Sequence, residues 1–320
     1  KLKNMKVTEH IQNANGKPLF SFEILPPLKG QNIQSIFDSI DPLMEFNPPF
    51  IDVTYHREEY VDKVVDGVSK RIPIRKRPGT LGICASIMQR FQIEAVPHVI
   101  CGGFTKEETE DFLIDLHYLG IENALLLRGD QEKGEAHFIP KPGGHAYANE
   151  LVEQVAAMNQ GILLHEETES LPTNFCIGVA GYPEKHIDAV SFDQDLIYLK
   201  QKVDAGADYI VTQMFFDNAK YFDFVKKCRE MGISVPIIPG LKPLATERQL
   251  DILPEIFHLE IPAEFVSEAR KCANNAAIKQ LGIEWAVQQG KELIQAGVPA
   301  LHFYTMSKSD SVRAIAEKLF

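Results

Sequence analysis

The chain has 320 residues, and its 33 Lys and Arg against 44 Asp and Glu give a formal net charge of −11. That balance excludes the basic face a nucleic-acid binder needs to neutralise phosphates, and equally a polybasic membrane anchor. At 45% hydrophobic and 24% charged residues the composition is that of an ordinary globular protein, with no apolar run near the roughly 18 residues of a membrane helix. Residues 1–10 are polar and lack the apolar segment of a signal peptide. The five cysteines (Cys84, Cys101, Cys176, Cys228 and Cys272) are odd in number and form no Cys-x-x-Cys pair, the usage of a reduced, cytoplasmic protein.

In chain order, short apolar runs of strand character fall at residues 19–24, 50–54, 95–100, 123–127, 175–179, 209–212, 235–238 and 300–303. Helical spacing fills the intervals at 32–46, 59–70, 106–119, 149–158, 192–205, 219–230 and 246–257. Two longer helical stretches, 263–281 and 283–296, precede the eighth strand, and 308–319 closes the chain. Gly120, Gly206, Gly232 and Gly297 each follow a helical run just before a strand, the place of a left-handed C-cap. Residues 72–82, 131–146 and 159–174 read as irregular, the last as a solvated acidic insertion, and residues 1–16 as a mobile tail or an extra helix.

Eight strands alternating with helices predict an α/β fold, a single-domain (β/α)8 TIM barrel over residues 17–320. The competing doubly wound sheet calls for a Gly-x-Gly-x-x-Gly turn after its first strand, whereas here the strand runs into Leu25-Pro26-Pro27. A barrel carries its chemistry at the C-terminal strand ends. Those ends bring Glu23, Thr54-Tyr55-His56, His98, Arg128-Gly129-Asp130, Tyr182, Gln213, Pro239-Gly240 and Tyr304 to one mouth. Such a mixed ring of carboxylates, amides and amphipathic groups suits the edge of a flat heterocycle. Each member has a structural reading beside the functional one: Glu23 as a solvated strand-end side chain, Arg128 and Asp130 as a pair across their loop. No His and Cys spacing matches a structural zinc set, so no metal is expected.

The sequence Phe20-Ser21-Phe22-Glu23-Ile24-Leu25-Pro26-Pro27 resembles the opening strand of the methylenetetrahydrofolate reductases. The resemblance continues, in family order, through residues 53–55, Pro97-His98, 124–130, Tyr147-Ala148, 179–186, 202–208, 212–217, 238–240 and 302–305. It implies an FAD-dependent barrel enzyme that takes hydride from NADH or NADPH, NADH being favoured, and passes it to methylenetetrahydrofolate in one-carbon metabolism and methionine synthesis. Carried over by motif, Thr54, His98, Arg128, Gly129, Asp130, Tyr147, Ala148, Ala180, Tyr182, His186, Asp195 and Lys202 are expected to bind the non-covalent flavin. Glu23, Asp130, Gln213, Gln249, Tyr304 and Lys308 are expected at the folate. Glu23 and Asp130 are the expected catalytic pair, Glu23 as the acid that protonates the departing nitrogen and Asp130 as a charge that opposes the reduced flavin.

The departures are local. Ile24-Leu25 replaces aromatics, Tyr198 stands where some bacterial relatives have Asn, and Ser307-Lys308 replaces Asn-Arg, which keeps a charge but loses the bidentate fork. The sequence resembles the short bacterial form, whose relatives are homo-oligomers. Two other readings stay open: a flavin-independent pterin-handling transferase, and a flavin- or folate-binding protein without catalysis.

Overall fold

A computed structural model describes residues 4–131, 135, 137–165, 170–306 and 308–320. Its central sheet is parallel throughout: β1 (Leu19–Ile24), β2 (Phe50–Val53), β5 (Glu94–Ile100), β6 (Asn123–Leu127), β7 (Cys176–Gly181), β8 (Tyr209–Thr212), β9 (Ile237–Ile238), β10 (Gly240–Leu241) and β11 (Ala300–Tyr304). The expected seventh strand, at 235–238, is in two pieces. β9 pairs with β8 and β10 pairs with β11, with Pro239 between them. Proline has no N–H for the ladder, so the strand changes partner there, and chain continuity closes an eight-position barrel. All eight expected strands are found in it, within two residues at most ends.

Two-residue alternation sorts the side chains. Ile51 and Val53, Ala124 and Leu126, and Ile210 belong to the large core between strands and helices. Their neighbours Phe50, Leu125, Tyr209 and Val211 belong with Val96, Cys176, Ile238 and Ala300 to a second cluster that fills the barrel interior. By the same period Ser21, Glu23, Asp52, His98, His302 and Tyr304 point inward above that plug. The plug is closed from below by α1 (Val7–Asn13). Val7 is fully buried on the interior cluster, and its N–H donates to Asn123 Oδ1 at 2.9 Å while Asn123 Nδ2 donates to the Met5 carbonyl at 3.0 Å.

The helices that cover the barrel are α2 (Gln34–Ile40), α3 (Thr80–Phe91), α4 (Lys106–Tyr118), α5 (Ala148–Met158), α6 (Phe192–Asp204), α7 (Asn218–Glu230), α8 (Glu247–Phe257), α9 (Ala263–Lys271), α10 (Asn275–Gln295) and α11 (Asp310–Leu319). Gly120, Gly206, Gly232 and Gly297 all have positive φ after their helices, as expected of left-handed caps.

Four expectations need correction. Residues 59–70 are not a helix: β3 (Glu59–Val65) and β4 (Val68–Ile74) form an antiparallel hairpin around Asp66-Gly67, whose φ values are 53° and 77°. The helix of that unit is α3 instead, inside the stretch 72–82 and beyond, so only residues 75–79 are irregular there. The helix expected over 32–46 stops at Ile40, and Asp41–Phe46 tighten into a 3-10 helix with Pro42 near its start, where a missing N–H costs nothing. The break expected between 281 and 283 lies at Cys272–Asn274, where Asn274 Oδ1 accepts from Ala277 N at 3.1 Å and caps α10. The acidic insertion lies partly outside the described residues. Its described flanks are tied down, with Asn159 Oδ1 accepting from Thr173 Oγ1 and Phe175 N, each at 2.8 Å.

Candidate active site

Two adjoining cavities open at the C-terminal end of the barrel. One, of about 740 Å³, is the mouth; Glu23, Thr54, His98, Gly129, Asp130, Gln213 and Tyr304 all line it. The other, of about 970 Å³, runs outward over β6 and β7 toward α5 and α6, past Tyr147, Ala148, Asp195 and Lys202. Leu127, Arg128, Ala180, Tyr182 and His186 line both, so the two share a wall.

Register sets the floor of the mouth. Glu23 sits level with Asp52 on one side and Tyr304 on the other. Its side chain is 14% exposed, and its Oε2 lies 3.4 Å from His98 Nε2. Tyr304 donates to the Thr212 carbonyl at 2.6 Å, and burial pushes its phenol well above the usual range, so it is a fixed neutral donor. Thr54 donates through Oγ1 to the Ile24 carbonyl at 3.1 Å. Gln213 Oε1 accepts from the next backbone N–H at 2.9 Å, which leaves its NH2 as the donor facing the mouth. Gly129 has φ of 85°, a left-handed conformation that glycine adopts without strain, and its neighbours Arg128 and Asp130 both line the mouth.

The outer cavity holds two cations, Arg128 and Lys202, among two carboxylates, Asp188 and Asp195. Arg128 pairs with Asp188 at 2.6 Å and lies 5.0 Å from the Phe138 ring centroid, while its Nε is buried with no hydrogen-bond partner among the described residues. Lys202 donates to the Ala180 carbonyl at 2.6 Å, and burial brings its ammonium down to about 8. His186 is held down to about 4, first by burial and then by Arg128, so it is a neutral ring. It lies edge-on to Tyr182 with centroids 4.7 Å apart. Asp195 accepts from His186 N at 2.9 Å, and burial raises its carboxyl.

Two expected folate residues are not brought to the mouth. Gln249 is the third residue of α8, and its Oε1 accepts from Ala245 N at 2.8 Å and Thr246 N at 3.2 Å. It closes a capping box and does not line the cavity. Lys308 is exposed and lies outside the cavity wall, and its neighbour Ser307 is outside the described residues; Met306 lines the mouth instead. Residues not singled out from sequence also matter here. Asp188 holds Arg128. Lys242 is buried, and burial lowers its ammonium to about 8 against the opposing pull of Glu23. Asp52 and His302 lie inside the barrel. The signal for Asp52 was there to read: a carboxylate at an interior position of the run Phe50-Ile51-Asp52-Val53 is rare unless it has work to do. Among the described residues no group of three His, Cys, Asp or Glu is placed to hold a metal ion.

The family model for methylenetetrahydrofolate reductase matches residues 6–320. The chain belongs to the methylenetetrahydrofolate reductase family. It is 32% identical to the Escherichia coli 5,10-methylenetetrahydrofolate reductase over 314 residues, 98% of this chain and 94% of that protein. It is also 32% identical to a rice protein named as a probable methylenetetrahydrofolate reductase (NADH), over 98% of this chain but 50% of the relative. The chain thus spans about half the length of that plant member. Among solved structures it superposes with a TM-score of 0.58, at 12% identity and over 98% of both chains, on a Clostridium thermocellum protein described as binding two copies of 5-methyl-5,6,7,8-tetrahydrofolic acid. At that identity the likeness shows the fold, a TIM barrel, and nothing finer.

Proposed function

We propose that this member of the family reduces methylenetetrahydrofolate to methyltetrahydrofolate, with NADH as the hydride source and non-covalent FAD as the carrier, as a cytoplasmic homo-oligomer serving methionine synthesis. The observation that carries the reading is the joined pair of cavities: a mouth lined by the Glu23 and Asp130 carboxylates and the Gln213 amide, and a larger side cavity in which Arg128 and Lys202 stand among Asp188 and Asp195. The residues fit FAD. Arg128 has an unused buried N–H and Lys202 a buried ammonium, which suits phosphate charge. Thr54, His98, Gly129 and Asp130 would hold the ring end, and Tyr147, Ala148, Ala180, Tyr182, His186 and Asp195 the remainder. When bound, FAD supplies a hydride relay between two substrates that never meet.

The rest of the chemistry belongs to the chain. Gln213 and Tyr304 orient the pterin edge. Asp130, a carboxylate at the rim, disfavours negative charge beside it and so favours passing hydride onward. Glu23 donates a proton to the nitrogen that leaves the bridging carbon, which lets that carbon become an iminium able to accept hydride.

Purified protein is expected to be yellow and to release FAD on denaturation; a colourless protein that takes up no FAD overturns the reading. One mouth must serve both substrates in turn, so initial-rate plots for NADH and methylenetetrahydrofolate are expected to give parallel lines. Intersecting lines at non-inhibitory concentrations would instead require both substrates bound together.

A further inference from the structure

The barrel interior beside Glu23 holds more polar atoms than its hydrogen bonds satisfy. Asp52 on β2 is 1% exposed, and neither of its carboxylate oxygens has a hydrogen-bond partner among the described residues. His98 Nε2 on β5 lies 3.8 Å from Asp52 Oδ2 and 3.4 Å from Glu23 Oε2, so one ring nitrogen faces two carboxylates. A buried carboxylate without a hydrogen bond costs the fold heavily unless an opposite charge is within reach. What Asp52 does reach is the charge on His98. Burial alone would strip the imidazole of its proton, but Asp52 and Glu23 together outweigh burial and raise its affinity for the proton above the usual.

The other groups nearby cannot take over this task. His302 on β11 has Nδ1 at 3.0 Å from Ser21 Oγ, and burial keeps the ring neutral. Tyr209 on β8, Tyr304 on β11 and Cys84 on α3 are all held protonated by burial. His56, beyond β2, is pulled down by burial and by Arg77. Lys242, just after β10, faces Glu23 as a cation.

We infer that Asp52 is a positioning residue that keeps a proton on His98 Nε2 against Glu23, so that the proton Glu23 gives to the substrate is replaced from inside the barrel. This rests on the reading of Glu23 as the proton donor. The balance is simple. Glu23 O–H passes its proton to the departing nitrogen, whose bond to the bridging carbon breaks with the electron pair staying on nitrogen. His98 Nε2–H then passes a proton to the Glu23 carboxylate. The imidazole, left neutral, takes a proton from solvent before the next turnover, and Asp52 is then again its counter-ion.

The test is Asp52→Asn, with Asp52→Glu as the charge-restoring companion. Histidine NMR on the protein as purified, with the His98 signal assigned by its loss in His98→Gln, is expected to show the His98 midpoint falling by about one pH unit or more in Asp52→Asn. Asp52→Glu should bring it back toward the wild-type value. Removing Asp52 lowers the affinity of His98 for its proton, so the alkaline fall in flavin reoxidation by methylenetetrahydrofolate should move to lower pH by the same amount. On the alkaline side that is a loss of about tenfold, recovered on acidification. Flavin reduction by NADH should stay unchanged at every pH, and the thermal midpoint should hold or rise, because a buried charge has gone. A His98 midpoint and reoxidation profile unmoved in Asp52→Asn overturn the proposal, and so does a uniform loss of flavin and of both half-reactions. A wild-type protein that reduces no folate would sink the functional reading instead, and the His98 midpoint would still decide what Asp52 does.

Discussion

Glu23→Gln is expected to slow flavin reoxidation by methylenetetrahydrofolate by about 10²-fold or more, the usual range for a lost general acid, while flavin reduction by NADH stays nearly intact. The two half-reactions differ in one respect. Hydride leaving NADH needs no proton at a departing nitrogen, whereas opening the methylene bridge does. Gln keeps the length and planarity of Glu and can still approach His98 Nε2, now 3.4 Å from the Glu23 carboxylate. The backbone role of the position also survives, since Thr305 Oγ1 donates to the Glu23 carbonyl, at 2.7 Å, and not to its side chain. The substitution therefore removes the transferable proton and, with it, one of the two carboxylate charges that raise the proton affinity of His98. Stopped-flow absorbance at the flavin band reads each step separately. A purely structural strand-end carboxylate predicts loss of FAD and damage to both steps together. Near-normal reoxidation in the variant would leave Glu23 as a substrate-positioning group at most.

The barrel was legible because its strands obey a strong local rule. A short run such as Ala124-Leu125-Leu126-Leu127 is buried on both faces, and it ends where Arg128-Gly129-Asp130 turns polar, which marks at once a strand and a site. The same rule brought Glu23, Asp130, Gln213 and Tyr304 to one mouth. What failed was read by helical spacing where a turn signal should have ruled. Residues 59–74 carry Val before Asp66-Gly67 and Val and Ile after it, and that dipeptide suits a two-residue hairpin turn with positive φ at both positions. Exposed residues fill both strands of that hairpin, so no apolar face announced it. Gln249 was ambiguous for a different reason. A glutamine three residues after Thr246 is equally a capping-box signature, and only the fold decides between a ligand contact and a cap. Asp52 could be flagged from sequence as a carboxylate inside a strand, but not given a partner, because that partner is His98, 46 residues away in the chain and 3.8 Å away in space.

Gly282→Ala is expected to destabilise the protein by roughly 2 kcal/mol, although the same change in an ordinary helix would stabilise it by about 1 kcal/mol. Gly282 lies inside α10, and its position looks from sequence like a break between two helices. The helix instead runs through it unbroken, because the glycine lets α10 touch the backbone of Leu244. A Cβ there would overlap the Leu244 carbonyl oxygen and lie 2.8 Å from its carbon and 3.0 Å from its nitrogen. Backbone cannot rotate away as a side chain can. Leu244 is itself 1% exposed, in a cluster with Phe216, Leu250, Leu253 and Phe265. Relief therefore requires α10 to shift against the segment that also carries Lys242, the buried cation facing Glu23. Trp285, one turn further along α10, reports on the shift directly. Its Nε1–H donates to the Phe216 carbonyl at 3.0 Å, and its ring meets Phe265 edge-on at 5.3 Å. It is the only tryptophan in the chain, so tryptophan fluorescence during thermal unfolding reports from this one position on α10. A fall in the thermal midpoint of roughly 5 °C is expected, from a few degrees per kcal/mol for a domain of this size. An unchanged or raised midpoint would mean that α10 does not approach Leu244 so closely, and the position would then behave as the helix break its sequence suggests.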